Sequence, residues 1–140
     1  YASNYSIGVN LFFKLNEYAA KLLAQQPYKV ELEEIHHTEK KDSPSGTAIT
    51  LAKPIIDALN MDGWVNQPSN NTSELGIISK RKPNVPGTHT VTYSSKIDEI
   101  SLSHVAHSRK GFAKGALAVA EWVYNTKAKG MLSMNDFLTI

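Results

Sequence analysis

The stretch Glu34-Ile35-His36-His37-Thr38-Glu39-Lys40-Lys41-Asp42-Ser43-Pro44-Ser45-Gly46-Thr47-Ala48 joins two different periodicities. Before it, Val30 and Leu32 alternate with Glu31 and Glu33 across Tyr28 to Ile35. A period of two with one apolar side is the pattern of a half-buried strand. The alternation breaks at Glu34-Ile35, which predicts a bulge just ahead of the two histidines. After it, Thr47 to Asn60 carries helical spacing, entered through Ser45-Gly46-Thr47. Pro54 falls inside that helix and is expected to kink it or shorten its regular part, because proline has no N–H to donate. A strand, a polar loop and a helix in succession point to an α/β protein.

Working outward, Ser6 to Ala24 reads as a helix capped by Ser6, with Ile7, Leu11, Leu15, Tyr18 and Leu22 as its apolar face. Met61 to Leu75 is rich in Asn and Ser and reads as a loop. Strands follow at Gly76–Arg81, Thr88–Ser95 and Asp98–His107, the last two joined by a link short enough for a hairpin. His89, Val91 and Tyr93 share one face of the middle strand, and Ile100, Leu102 and His104 share one face of the last. Lys110 to Thr126 is a further helix, and a tail with Met131, Leu132, Phe137 and Leu138 ends the chain. The expected architecture is α/β (α+β), an open mixed β-sheet of about four strands with helices packed on it.

Composition bounds the function. At 140 residues, 41% hydrophobic and 20% charged, the chain is an ordinary globular domain with a real core. No run approaches the roughly 20 apolar residues of a membrane-spanning helix, and the first residues lack a signal-peptide pattern. Cysteine is absent, which removes thiolate chemistry and fits a cytoplasmic protein. The net charge of +2 is too small and too scattered for a nucleic-acid surface. It suits a small acidic ligand instead.

The quoted stretch carries the chemistry. Ser45, Gly46 and Thr47 stand where a helix begins, so free N–H groups and the helix dipole favour a carboxylate or phosphate. Lys40 and one of the two histidines lie a few residues upstream. An imidazole with an ordinary pKa of about 6.5 delivers a proton near neutrality. An anion cradle, a cation and a proton donor suit the addition of hydride and proton to an anionic, electron-poor double bond. Each feature alone also reads as a polar loop, a solvated lysine pair or a helix cap. No metal is expected, since the adjacent His36 and His37 serve one ion poorly. No glycine-rich dinucleotide fingerprint occurs, so no cofactor-binding residues are expected in this chain.

The string Glu-x-His-His-x-x-Lys-x-Asp-x-Pro-Ser-Gly-Thr-Ala closely resembles the signature of the dihydrodipicolinate reductase family. That family is the 4-hydroxy-tetrahydrodipicolinate reductase of diaminopimelate and lysine biosynthesis. Asn4-Tyr5-Ser6-Ile7-Gly8-Val9-Asn10, Gly87-Thr88-His89 and Ser108-Arg109-Lys110-Gly111-Phe112 resemble three further segments, in family order. The resemblance implies His36 as general acid, with Lys40 also assigned a catalytic role. It implies His37, Lys40, Ser45, Gly46 and Thr47 as substrate-binding residues. It implies NADPH or NADH as hydride source, a small dicarboxylate as substrate, and a homotetramer built through the sheets. Two departures stand out. Arg81 is followed by Lys82 and Pro83, where relatives often carry Arg-x-Gly, so a role for Arg81 is in doubt, and Ser43 replaces a usual alanine.

Placed on the chain, the resemblance makes residues 1–108 the substrate-binding and oligomerisation domain. Residues 109–140 become a helix and tail that return to an N-terminal Rossmann domain lying outside this sequence. The chain alone is then expected to be an inactive fragment. Asn4–Ser6 and His107–Arg109 are the expected hinge, and Phe112, Leu117, Val119 and Val123 should lack a native neighbour. A catalytically idle oligomerisation module, or a stand-alone anion-binding protein, would use the same residues.

Overall fold

The computed structural model describes residues 1–2 and 4–139. Its elements are α1 (Ile7–Leu23), β1 (Lys29–His36), α2 (Gly46–Leu59), β2 (Gly63–Val65), β3 (Glu74–Arg81), β4 (Gly87–Ser94), β5 (Glu99–Ala106), α3 (Lys110–Thr126) and α4 (Met134–Leu138). The five strands form one open mixed sheet in the order β2-β3-β1-β4-β5. β2, β3 and β1 run parallel, and β4 and β5 are antiparallel additions. A parallel pair needs a crossover, which α2 supplies between β1 and β3.

The strand count exceeds the expected four because β2 lies in the segment read as a loop. Three residues, Gly63-Trp64-Val65, are too few to display a period, and pairing with β3 is what makes them a strand. The expected bulge is absent. β1 keeps continuous register through Glu34↔His89 and Ile35↔Thr88 on one side and Glu34↔Ser79 on the other. The alternation does not break at Glu34; its inward positions turn polar. Val30, Leu32, Glu34 and His36 all face inward. α2 runs unbroken through Pro54, so the proline does not shorten it.

α1 turns a different face to the core than its spacing predicts. Val9, Phe12, Asn16 and Ala20 are buried, while Leu15 and Tyr18 are 59% and 64% exposed. Asn10, Lys14, Glu17 and Lys21 form one polar stripe and the rest of the helix is broadly apolar, so hydrophobicity alone does not choose which apolar side faces in. Asn16 helps to choose it by donating to the Leu51 carbonyl of α2 at 2.9 Å, a bond that lets a polar side chain be fully buried.

The core lies between one face of the sheet and the pair α1 and α2. Leu32, Ile77, Val91 and Tyr93 from the strands meet Phe12, Ala20, Leu51 and Ile55 from the helices. Each fully buried Leu, Ile, Val or Phe among them contributes about 1.5–3 kcal/mol relative to exposure. Registry arranges that inner face in rows. Leu32, Ile77, Val91 and Leu102 form an apolar row. One step along, Glu34, Ser79, His89 and His104 form a polar one. The next row carries His36 and Arg81. The sheet thus changes from core to site at the same level on all four strands.

Candidate functional site

The polar end of β1 and the N-terminus of α2 meet at a pocket of about 420 Å³. β1 and the loop after it bring His36, His37 and Lys40 to its wall. The start of α2 brings Ser45, Gly46 and Thr47, and the segment entering α3 brings Arg109 and Phe112. All six residues singled out from sequence therefore line one cavity.

Their roles are not equivalent. Ser45 is the N-cap of α2: its hydroxyl accepts from the Ala48 amide at 3.1 Å and lies 3.2 Å from His89 Nε2. Its own backbone N–H donates to Glu34 Oε1 at 3.1 Å. With its hydroxyl and amide engaged inside the protein and its side chain buried, Ser45 fixes the turn rather than offering a free donor. The Gly46 and Thr47 amides, among the described residues, have no protein acceptor and remain available at the helix start. Asn4 Nδ2 donates to the Thr47 hydroxyl at 3.4 Å, tying the N-terminal segment to the same turn.

The cations are held by partners. Lys40 Nζ pairs with Asp42 at 2.7 Å, and this contact holds the Asp42 carboxyl below its usual range. Arg109 donates to His37 Nε2 at 2.8 Å, which makes Nδ1 the protonated nitrogen of a neutral His37. Arg109 was not among the sequence-derived site residues. Its signal was the Ser108–Phe112 segment, which resembled the family, but Arg109 itself was placed only at the expected hinge His107–Arg109. Arg81, left in doubt from sequence, has a clear structural part. Its guanidinium donates to the Asp42 carbonyl at 2.6 Å and lies 3.5 Å from Glu34, clamping the loop between β1 and α2.

Sequence reading missed Glu34 and His89 as members of the site. Both are buried, and they face each other across β1 and β4. Burial alone would raise the Glu34 pKa, but the close His36 ring and the Ser45 hydrogen bond outweigh it and hold the carboxyl well below its usual range. Burial, reinforced by repulsion from His36, pushes His89 down to about 4, against the attraction of Glu34. His89 is therefore neutral near pH 7, and its Nε2 can accept the Ser45 hydroxyl proton. Glu34, His36 and His89 place three ligand-type atoms within 4.8 Å of one another. The carboxylate already faces the Arg81 guanidinium and the Ser45 N–H, so a shared proton fits this cluster better than a dication.

Fold and site together define a class: an α+β ligand-binding domain whose pocket combines a helix N-terminus, cationic side chains and an imidazole backed by a buried carboxylate. Residues 8–138 match the family described as "Dihydrodipicolinate reductase, C-terminus", and the chain belongs to that family. It is 48% identical to the 4-hydroxy-tetrahydrodipicolinate reductase of Christiangramia forsetii, over 99% of this chain and 58% of that protein. It is 43% identical to the enzyme of the same name from Methanosarcina barkeri, over 96% of this chain and 51% of that one. The fold is similar to that of a solved dipicolinate-bound dihydrodipicolinate reductase from Paenisporosarcina sp. TG-14. The TM-score is 0.69 at 25% identity, covering 94% of this chain and 51% of that one. The chain thus spans a little over half the length of the curated relatives it matches.

The described residues do not fit a pyridine dinucleotide in the usual way. The one strand-to-helix turn at the pocket, between β1 and α2, carries Gly46 alone where a pyrophosphate cradle needs several glycines. No described helix is long and apolar enough to cross a membrane.

Proposed function

We propose that this chain is the substrate-binding and proton-donating part of a 4-hydroxy-tetrahydrodipicolinate reductase acting in diaminopimelate and lysine biosynthesis. The observation that carries this is the pair of unconsumed amides of Gly46 and Thr47 in one pocket with His36, Lys40 and Arg109. The amides and the helix dipole take one carboxylate of the dicarboxylate substrate. Lys40 and Arg109 take the other, once they exchange Asp42 and His37 for substrate oxygens. His36 donates the proton that completes reduction, and His37 stays beside the substrate as a polar contact.

NADPH or NADH is the source of hydride in this reading, bound by the part of the protein that lies beyond the matched half. This chain's residues bind the substrate, orient it and hold the proton. Residues 1–108 are the substrate and assembly domain, residues 109–140 lead back toward the nucleotide-binding part, and the protein works as a cytoplasmic homotetramer.

The test is kinetic, on the full-length reductase that contains this segment. Substrate-dependent NADPH oxidation is expected from the full-length protein and none from residues 1–140 alone. His36→Ala should lower kcat by about 10²–10⁴-fold with little change in KM, the range for loss of a general acid. A full-length protein without turnover would sink the reading, and an unchanged kcat in the variant would remove His36 from its role.

A further inference from the structure

We infer that Glu34 is a positioning residue, one buried carboxylate that sets both the proton state of His36 and the place of the anion cradle. The inference rests on the reductase reading above, in which His36 is the proton donor. Glu34 is fully buried on the inward face of β1, two residues from His36 on the same strand face. Its two oxygens do different things. Oε1 accepts the Ser45 N–H at 3.1 Å and faces Arg81 at 3.5 Å, so it holds the turn that presents the Gly46 and Thr47 amides. Oε2 lies 3.2 Å from His36 Nδ1.

Neither Oε2 nor His36 Nδ1 has another hydrogen-bond partner, and both atoms are buried. Each therefore depends on the other for satisfaction. The contact is not yet linear, as is common for catalytic hydrogen bonds before the ligand binds. On its far side the His36 ring is backed by Gly87, where an added Cβ would come within 3.1 Å of Nε2. The ring is thus confined between a carboxylate and a bare backbone.

The carboxylate has a definite chemical consequence. As an acceptor only, it favours a proton on Nδ1 in both the charged and the neutral ring. His36 then gives up its second proton from Nε2 and regains it there, without turning over. A glutamine at position 34 would break this arrangement selectively. Its amide oxygen still accepts the Ser45 N–H, so the cradle stays. Its NH2 group is left facing Nδ1 and stabilises the neutral ring with the proton on Nε2, a poor acid. An alanine would remove both contacts.

Steady-state kinetics and dipicolinate binding, measured on the full-length enzyme, separate these effects. Glu34→Gln should lower kcat roughly 10²-fold, raise the solvent deuterium isotope effect on kcat, and leave KM and the dipicolinate Kd within about threefold. Glu34→Ala should weaken dipicolinate as well. In a His36→Gln background, Glu34→Gln should cost little further kcat, because the two act as a unit. Glu34→Asp keeps the charge and serves if the glutamine variant does not fold; it should retain a larger kcat than His36→Gln. An active wild type whose Glu34→Gln variant keeps kcat within threefold overturns this inference alone. So does equal and independent loss in the double variant, or a Glu34→Asp variant no better than His36→Gln. An inactive wild type overturns the reductase reading beneath it.

Discussion

At the scale of single residues, His89 makes the protein sensitive to acid. Its folded pKa, about 4, lies below the ordinary 6.5 because the ring is buried beside His36. As pH falls, the unfolded chain takes up this proton first. The neutral ring's contribution is therefore complete above about 6.5, is lost between about 6.5 and about 4, and changes no further below that. The difference is worth at most about 3 kcal/mol, a large part of a domain stability of roughly 5–15 kcal/mol. Glu34 adds a second loss in the same direction, since its depressed carboxyl stabilises the fold only while the pH stays above the usual carboxylate range. Urea melts from pH 7 to pH 4 should show falling stability, and His89→Gln should flatten the part of the slope that begins near pH 6.5. An unchanged slope would mean that His89 does not carry it. Both residues lay in segments that resembled the family, yet neither was given a site role from sequence. Glu34 sits where the apolar alternation of β1 ends, and a charged residue at an inward position looks from sequence like a broken strand. His89 needs the β1–β4 register to be placed opposite it. By contrast His36, Lys40 and Ser45–Thr47 are close in sequence and were found there, because a loop between a strand end and a helix start keeps them close in space.

At the scale of elements, α3 is held by a close backbone contact and a few half-buried side chains rather than by a full core. Gly115 is its one buried residue, and a Cβ there would fall 1.8 Å from the Tyr5 carbonyl oxygen. Leu117 and Tyr124 are 60% and 83% exposed. The helix therefore crosses the N-terminal segment most closely at Gly115, and Trp122 adds an edge-on contact with Phe137 of α4 at 5.8 Å between ring centroids. Gly115→Ala sets two effects against each other. Alanine favours the helix intrinsically by about 1 kcal/mol. The clash is with backbone, which cannot rotate aside, and overpacking of this kind costs about 1–3 kcal/mol or more. The clash should win. Hydrogen exchange is expected to rise in α3 while β1 and β4 keep their protection; faster exchange everywhere would show that α3 is part of the core. The sequence showed that α3 has a wide apolar surface; in one copy of the chain Phe112 and Leu117 are exposed, while Val119 and Val123 are half-buried. The inward face of α1 was not readable, because two apolar stripes compete and the choice depends on Asn16 reaching a carbonyl on another helix.

At the scale of the whole molecule, the outer face of the sheet is the surface that the proposed tetramer would use. α1 and α2 cover the inner face, and no described helix covers the outer one. That outer face carries the hydroxyls of Thr88, Thr90, Thr92, Ser101 and Ser103, the apolar Ile35, Ile78 and Val105, and the charged Glu31, Glu33 and Lys80, and at first sight it suits water. Its hydroxyls, however, are already paired within the sheet: Thr90 with Ser103 at 3.0 Å and Thr92 with Ser101 at 3.2 Å. A polar group that carries its own partner loses little on burial, whereas an unpaired one costs about 1–3 kcal/mol. These four hydroxyls can meet another sheet, at the ordinary spacing of about 10 Å, without orphaned donors, and Glu33 keeps Lys80 as its partner. Adding carboxylates beside Glu31 and Glu33 should oppose this. Thr90→Glu with Thr92→Glu would bury two carboxylates per copy without partners and also break both hydroxyl pairs. Both side chains lie on the opposite face of the sheet from Glu34 and His89, so the pocket itself keeps its lining. Sedimentation of the full-length protein at micromolar concentration should show a tetramer for the wild type and smaller species for the double variant, with dipicolinate binding per chain preserved. A double variant that stays tetrameric would place the assembly surface elsewhere, and the exposed Leu11, Leu15 and Tyr18 stripe of α1 would be the next surface to mutate.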